Sequence, residues 1–222
     1  MAAIKSTFAI IDEIERNKAD LQAAVTAAKQ KILSLAIQGK LVSGDKEKWQ
    51  EMQLGEIGNI VGGGTPSTNN SEYWKDGTIS WITPADLSGY SSKHISKGSR
   101  NITNKGLAES SVRLMPKGSV LFSSRAPIGY VAIADNEFCT NQGFKSIVPH
   151  EIEHNEFLYY FLQASVEEIR SRASGTTFKE ISGREFGKTV IAMPPLEEQR
   201  RIVVAIEAAF EQLENILQMI SV

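Results

Sequence analysis

A heptad pattern near the N-terminus constrains the fold of this chain more than any other feature. Positions 5–38 contain no glycine or proline, so nothing in the sequence interrupts a helix there. Residues recur at every seventh position in two rows, which is the spacing of an a/d seam. Gly39 follows the last apolar position and is a natural end for the helix. The rows are Ile4, Ile11, Lys18, Val25 and Ile32, and Ile14, Leu21, Ala28 and Leu35.

The seam predicts a coiled coil, because the apolar stripe is narrow and the helix is long for its own domain to cover. A helix that packs on its own domain is the alternative. Lys18 occupies a core position of the seam. A polar residue there favours one register or oligomeric state at the expense of stability.

A second helical pattern runs to the end of the sequence. It starts after Pro194 and Pro195, because proline is favoured in a first helical turn. Glu197 and Glu198 suit the positive end of the helix dipole. The apolar residues alternate by four and three, as in a second coiled-coil seam. They are Ile202, Ile206, Ala209, Leu213, Ile216 and Ile220.

Both helices contain the pattern Phe-x-x-aliphatic-acid-x-Ile, which begins at Phe8 in the first and at Phe210 in the second. A match this short between two amphipathic helices is weak evidence by itself. Together with the two seams, it suggests that the chain ends where another copy would begin.

The segment between the helices differs from them in composition and in hydrophobic pattern. Positions 49–195 are rich in Gly, Ser, Thr and Asn, with short apolar runs between turn signals. The runs at 120–122, 130–133 and 146–148 predict strands, and positions 157–169 predict a helix. We therefore expect an α+β fold. It has one mixed α/β domain at 43–193, flanked by long coiled-coil-forming helices at 1–42 and 194–222.

Composition excludes several classes of protein. No apolar run approaches the roughly 20 residues that span a bilayer, and the N-terminus has no apolar signal core. The single cysteine, Cys139, excludes an internal disulfide framework. The cytoplasm is therefore the expected compartment, with no membrane partner. The formal net charge of −2 gives no general attraction to nucleic acid.

Short motifs follow one another along the chain. The helix ends in Lys31-Ile-Leu-Ser-Leu-Ala-Ile-Gln-Gly39-Lys-Leu-Val42, and the domain opens with Trp49 and Leu54-Gly55. Then come Gly63-Gly64-Thr65-Pro66-Ser67, Tyr73-Trp74, Trp81-Ile82, Leu114-Met-Pro116-Lys-Gly118, Ser123-Ser-Arg-Ala-Pro-Ile-Gly129, Thr140-Asn141-Gln142-Gly143, Ser174-Gly-Thr-Thr177, Ile181-Ser182 and Pro194-Pro-Leu-Glu-Glu-Gln-Arg-Arg-Ile-Val203. Each motif alone is weak, whereas their order and spacing together are specific. On these residues the chain resembles type I restriction–modification specificity (S) subunits, in a half-length form with one target-recognition domain.

The resemblance implies a role in DNA recognition. A full S subunit is similar to two such units in tandem, and each target-recognition domain reads one half of a split site in double-stranded DNA. The helices bind two modification subunits, which carry S-adenosylmethionine and methylate adenine, and restriction subunits can join to cut DNA. The chain itself is then not an enzyme and has no cofactor of its own.

The chain departs from the full-length pattern because it has only one recognition domain. It is either a natural half-subunit that dimerises or part of a longer protein. The near-repeat at its two ends favours a dimer with true twofold symmetry, which implies an interrupted palindrome as the DNA site. The residues implied for dimer and partner contacts are Ile11, Lys18, Leu21, Val25, Ile32, Leu35, Ile202, Ile206, Leu213 and Ile216.

The strongest local charge lies at positions 93–125, where seven basic residues stand against one acid, Glu109, and give a net charge of +6. Neutralising phosphates needs such a local excess. Asn pairs well with adenine and Arg with guanine in the major groove. The alternative is that these basic residues lie on solvated loops or on edge strands, where lysines prevent pairing with other strands. The candidates in this window are Lys93, Lys97, Arg100, Asn101, Asn104, Lys105 and Arg125.

Members of this family read different sequences while sharing the same motifs. The shared motifs are therefore better candidates for scaffold or phosphate contacts, and positions 90–104 for base choice. The glycines at 62–64 could bring backbone amides close to a phosphate, but a tight turn needs them equally. The further candidates for DNA contact are Thr65, Ser67, Asn141, Gln142, Thr176, Thr177 and Lys179.

Two features suggest a different chemistry. His150 to His154 form an H-E-x-x-H pattern, which binds zinc when both histidines lie on one helix face. Here Pro149 precedes the motif and no histidine follows it, so we expect a solvated acidic stretch. Cys139 could be a nucleophile, but a lone cysteine beside Phe138 is usually a small buried side chain. We therefore expect no catalytic residue and no metal site. The two alternatives to DNA recognition are a structural adaptor and a metallohydrolase.

Overall fold

The structure, a computed structural model, describes the backbone of residues 2–176 and 179–220 and the side chains of residues 13–176 and 179–219. The chain forms two compact units, one made of residues 1–44 and 200–222 and the other of residues 45–199. The elements in chain order are α1 (Ala2–Ile37), β1 (Gln50–Gln53), α2 (Leu54–Ile57), β2 (Gly58–Gly62), β3 (Ile79–Ile82), β4 (His94–Ile95), β5 (Arg100–Ile102), α3 (Asn104–Ala108), β6 (Val120–Ser124), β7 (Ile128–Ala134), β8 (Phe138–Thr140), β9 (Lys145–Pro149), α4 (Asn155–Ala164), α5 (Val166–Ser171), α6 (Gly183–Gly187), β10 (Val190–Met193) and α7 (Leu196–Ile220). Short 3₁₀ helices lie at Lys46–Lys48, Ser71–Tyr73, Pro84–Leu87 and Ile152–His154.

The unit of residues 1–44 and 200–222, here the helical unit, contains α1 and most of α7. Lys29 of α1 forms an ion pair with Glu214 of α7, while Arg201 at the other end of α7 donates to the Ser43 carbonyl at 2.9 Å. The two chain directions are therefore opposed. Gly39 has a φ of 68° and its amide donates to Ala36 O at 3.0 Å, so it ends α1 as predicted.

The buried face of α1 departs from the predicted heptad rows near its C-terminal end. Val25, Leu33 and Ala36 are buried, whereas Ile32 and Leu35 are only half-buried. The buried positions follow the 3.6-residue period of a straight helix, which drifts against a strict seven-residue repeat.

The unit of residues 45–199, here the globular domain, is built on three small sheets. A five-stranded sheet has the order β2-β9-β6-β7-β4, with only the β4–β7 pair parallel. A three-stranded sheet has the order β5-β3-β8, antiparallel at β3–β5 and parallel at β3–β8. Strands β1 and β10 form an antiparallel pair.

The core of the globular domain lies on the five-stranded sheet. Leu121, Phe138 and Phe144 are fully buried in one apolar cluster. Helix α4 packs on β6 and β7 and buries six consecutive side chains from Phe157 to Leu162. This sheet and helix form the buried core from which the surrounding loops extend.

The structure confirms the predicted α+β class with helices at both ends. The three predicted strands lie within β6, β7 and β9. The predicted helix at 157–169 is wrong in its continuity, because it divides into α4 and α5 at Ser165, whose amide donates to both Phe161 O and Leu162 O. Among the described residues, no helix combines the length and apolar character that crossing a bilayer requires.

Candidate nucleic-acid interface

The three-stranded sheet holds a pair of tryptophans, with Trp81 buried in β3 and Trp74 half-buried against it. Trp74 and Trp81 meet edge to face, with ring centroids 5.0 Å apart. The indole of Trp81 donates to Gly64 O at 2.9 Å, and that of Trp74 donates to Ser67 O at 3.1 Å. The two indoles therefore fix the backbone of the Gly63–Ser67 motif against the sheet.

The glycines of that motif serve this close approach. A Cβ on Gly63 would lie 1.9 Å from Asn141 O, and one on Gly64 would lie 2.6 Å from Ser111 Oγ. The amide of Gly64 also donates to Thr140 O at 2.9 Å. Close packing against Asn141 and Ser111 therefore explains both glycines without a phosphate.

Arg100 lies on the tryptophan pair. Its guanidinium carbon is 3.7 Å from the Trp74 ring centroid and 5.7 Å from that of Trp81, and the residue is exposed. Strand β5 places it there, because Arg100 is the register partner of Trp81 in the neighbouring strand. Stacking on an indole orients the planar guanidinium while its edge stays accessible.

Exposed polar residues surround Arg100. Asn101 follows it in β5, and Asn104 begins α3. Lys105 forms an ion pair with Glu72, whose hydrogen bond and charge raise the pKa of the lysine. Lys97 is exposed in the loop before β5.

A turn beside the three-stranded sheet contributes the next polar groups. Thr65 donates its hydroxyl proton to Gln142 Oε1 at 2.5 Å, and both residues are exposed. Asn141 Oδ1 instead accepts from the Gly143 amide at 2.9 Å, so its side chain stabilises the turn. Ser67 is exposed, and its carbonyl is the Trp74 acceptor.

A carboxylate lies between two cations next to this turn. Glu180 Oε1 accepts from Lys145 Nζ at 2.9 Å, and Glu180 Oε2 accepts from Arg125 Nη1 at 3.3 Å. The same Lys145 Nζ also lies 3.5 Å from Gln142 O. Thr176 and Lys179 are exposed on the adjoining loop, and Thr177 lies outside the described residues.

The positive charge of the window 93–125 is smaller in the folded domain than along the chain. Acids from outside the window pair with three of its cations. They form the pairs Lys93–Glu156, Lys105–Glu72 and Arg125–Glu180. Lys93 also lies over the Tyr160 ring of α4, at 5.7 Å from its centroid. The contacts of Lys93 with α4 make it a weaker candidate for DNA than Arg100.

Sequence reasoning did not single out Trp74, Lys145 or Glu180 as interface residues. Trp74 carried a local signal, because two aromatics, Tyr73 and Trp74, follow a polar Asn-Asn-Ser-Glu stretch. Lys145 and Glu180 meet only through the fold, 35 positions apart in the chain, and nothing in the local sequence indicates their contact.

The H-E-x-x-H pattern does not form the helical zinc arrangement. His150 precedes a 3₁₀ helix that begins at Ile152. The ring nitrogens of His154 lie 3.1 Å from Gln199 Oε1 and 3.2 Å from Glu151 Oε2. A cavity of about 230 Å³ is lined by His150, Glu151 and His154 together with Met52, Glu56, Ile57 and Met193. Within the described residues, no group of three potential metal ligands comes together.

Cys139 is fully buried in β8. Burial raises the pKa of its thiol to about 12. The thiolate that a nucleophile requires is therefore strongly disfavoured.

The predicted contact residues of the helical unit differ in how exposed they are. Ile14 is 57% exposed and Ile216 is 39% exposed, although both lie on the predicted seams. The side chain of Ile11 lies outside the described residues. Val25, Ile202 and Ile206 are buried, and Lys18, Leu21, Ile32, Leu35 and Leu213 are half-buried.

A model of the family described as the type I restriction modification DNA specificity domain matches residues 46–220. The chain is 43% identical over 169 residues to the type I restriction enzyme MjaIX specificity subunit of Methanocaldococcus jannaschii, covering 75% of this chain and 39% of the relative. It is 30% identical over 168 residues to the EcoR124I/EcoR124II specificity subunit of Escherichia coli, covering 73% and 41%. The chain thus spans about two-fifths of the length of these relatives.

Solved structures share the fold. The HsdS subunit from Thermoanaerobacter tengcongensis aligns with a TM-score of 0.65 at 22% identity, over 98% of this chain and 51% of that one. The S subunit of a type I system from M. genitalium aligns with a TM-score of 0.59 at 17% identity, over 99% and 57%.

Proposed function

Because this chain belongs to the family of type I restriction–modification DNA specificity domains, we propose that it is the DNA-recognition subunit of such a complex and reads one half-site per chain. The observation that carries the proposal is a set of polar side chains on the globular domain, here the recognition face. It comprises Arg100 stacked on Trp74, the hydrogen-bonded pair Thr65 and Gln142, and Lys145 and Arg125 around Glu180. The chain performs no catalysis itself.

The recognition face combines the two kinds of contact that sequence-specific binding needs. Cations at its edges position the DNA through phosphates, and exposed side chains between them face base edges. Arg100, Asn101 and Asn104 are the base-reading candidates, because all three are exposed around the tryptophan pair. A rigid sheet beneath them limits the entropy that binding would cost.

The helical unit is the proposed docking site for modification subunits. These subunits bind S-adenosylmethionine and methylate adenine on the DNA that this chain selects, and restriction subunits join the same complex to cleave DNA in the cytoplasm. A second copy of the chain supplies the other half-site by twofold symmetry. The exposed seam residues Ile14 and Ile216 support an additional helical partner of this kind.

Methylation mapping tests the proposal directly. The chain and its modification subunit are expressed together in a host without other adenine methylation, and the genome is sequenced by a method that detects methyladenine. We expect an interrupted palindrome. Cells with the modification subunit alone are the control and should show no motif. An asymmetric bipartite motif would overturn the homodimer, and no motif from an assembled complex would overturn the recognition function.

A further inference from the structure

The Glu180 carboxylate, held between Lys145 and Arg125, has the geometry of a bound anion. The side chain of Lys145 is only 15% exposed, and an ammonium this deeply buried needs an anionic partner. Its Nζ also lies 3.4 Å from Ser124 Oγ. Two cations thus share one carboxylate, and the local charge remains positive.

The three residues come from separate elements that the fold brings together. Arg125 follows β6, Lys145 begins β9, and Glu180 lies on the loop that precedes α6. The backbone of Glu180 is fixed by two hydrogen bonds with Ser174, at 2.9 and 3.1 Å. Its side chain, 33% exposed, could therefore leave the two cations without any change in the loop backbone.

We propose that Lys145 and Arg125 form a binding site for one phosphate of the DNA backbone, and that Glu180 occupies this site as an internal anion until DNA displaces it. The inference rests on the proposed DNA-recognition function. The site adjoins Gln142 on the recognition face, and Thr176 and Lys179 are exposed on the loop beside it. An arginine fork and a lysine point charge together suit a phosphate.

The exchange of anions has a consequence for affinity. The cations keep an anionic partner in both states, so the Lys145 ammonium, which is 15% exposed, is never left unpaired. The displaced carboxylate stays near the DNA and is repelled by its phosphates. Glu180 therefore weakens binding to every duplex by about the same factor, whatever its sequence.

The test compares Glu180→Gln with the unchanged chain, each assembled with its modification subunit. Equilibrium binding is measured on the methylated motif and on an unrelated duplex at several salt concentrations. We expect E180Q to bind both duplexes about ten-fold more tightly, because one repulsive charge is gone. The slope of log K against log salt should become steeper by up to about one unit.

Matched variants separate a phosphate site from a structural ion pair. Glu167→Gln removes the charge of another paired glutamate, on α5, and should leave affinity unchanged. Arg125→Gln should weaken binding to both duplexes and should cancel the gain when it is combined with E180Q. Thermal unfolding shows whether each variant remains folded.

Unchanged or weaker DNA binding by folded E180Q would overturn this inference and would leave Glu180 with only a structural ion-pair role. If E180Q fails to fold, the affinity of R125Q alone tests the phosphate site. Intact DNA affinity in R125Q would exclude the phosphate contact. An unchanged chain that binds no DNA in the assembled complex would overturn the proposed function instead.

Discussion

At the scale of single residues, Arg100 is the side chain on which base choice should depend most. Its guanidinium lies 3.7 Å from the Trp74 ring centroid, so much of its rotamer freedom is lost before DNA arrives. An oriented fork suits O6 and N7 of guanine. We expect Arg100→Lys, which keeps the charge but loses the fork, to reduce discrimination at one base pair by about 5- to 150-fold. Selection from a randomised half-site library by the assembled complex measures this change.

Arg113→Lys is the matched control, since Arg113 is exposed in the same charged window. Its selected motif should equal that of the unchanged chain. A loss of affinity by R100K that is equal for every sequence would assign Arg100 to a phosphate. If R100K selects an unchanged motif, the stacking of Arg100 on Trp74 has only a structural role.

At the scale of elements, Asp86 ties the 3₁₀ helix Pro84–Leu87 to the loop that leads into β5. One carboxylate oxygen accepts from the amide and hydroxyl of Thr83 at 2.7 Å, and the other accepts from the Ser99 amide at 2.7 Å. Desolvation acts to raise the pKa of Asp86, but the hydrogen bonds from Thr83 and Ser99 outweigh it and lower the pKa. This carboxylate therefore fixes the approach to Arg100.

We expect Asp86→Asn to lower the free energy of unfolding by about 1–3 kcal/mol at neutral pH, because charged hydrogen bonds are lost. The folded-state pKa lies below the unfolded value of about 3.9. The contribution of the carboxylate is therefore complete above that value and disappears as pH falls through the folded pKa. Urea unfolding at pH 7, 5 and below 4 should show a constant difference from the unchanged chain, followed by a decline.

Asp76→Asn is the control for this series, because Asp76 is exposed in a turn at a φ of 59°, which asparagine also tolerates. It should unfold like the unchanged chain at every pH. Faster hydrogen exchange at the Ser99 amide should accompany D86N alone. Equal stability of D86N and the unchanged chain at pH 7 would contradict the role of the carboxylate.

Some of the strands and helices could be predicted from the sequence, and others could not. Strand β6 was predictable because its apolar run lies between turn signals, and the start of α7 was predictable from Pro194 and Pro195. Strand β5 was not, since Arg100-Asn-Ile has no apolar run and pairs through its backbone with β3, some twenty positions earlier in the chain. Local pattern identifies strands that bury side chains, and misses strands that exist because a neighbour accepts their hydrogen bonds.

The candidate site follows the same division. The basic window indicated Arg100 and Asn101 as candidates, and the fold places both on the three-stranded sheet. The window could not indicate that Glu156 and Glu72 pair with Lys93 and Lys105. Local charge along a chain overstates charge in space whenever distant acids fold against it. Only the tertiary structure shows which cations of the window have an acidic partner.

At the scale of the whole molecule, the helical unit should determine assembly. Ile14 is 57% exposed although it lies on the predicted seam, and burial of an isoleucine contributes about 1.5–3 kcal/mol, twice in a symmetric dimer. We expect Ile14→Gln to raise the dimer dissociation constant at least about a hundred-fold, measured by light scattering over a range of concentrations. Val204→Gln is the matched control, because Val204 is 64% exposed on α7 and lies off the seam. Equal dimerisation of I14Q and the unchanged chain would exclude the seam, and an unchanged chain that stays monomeric would exclude the homodimer itself.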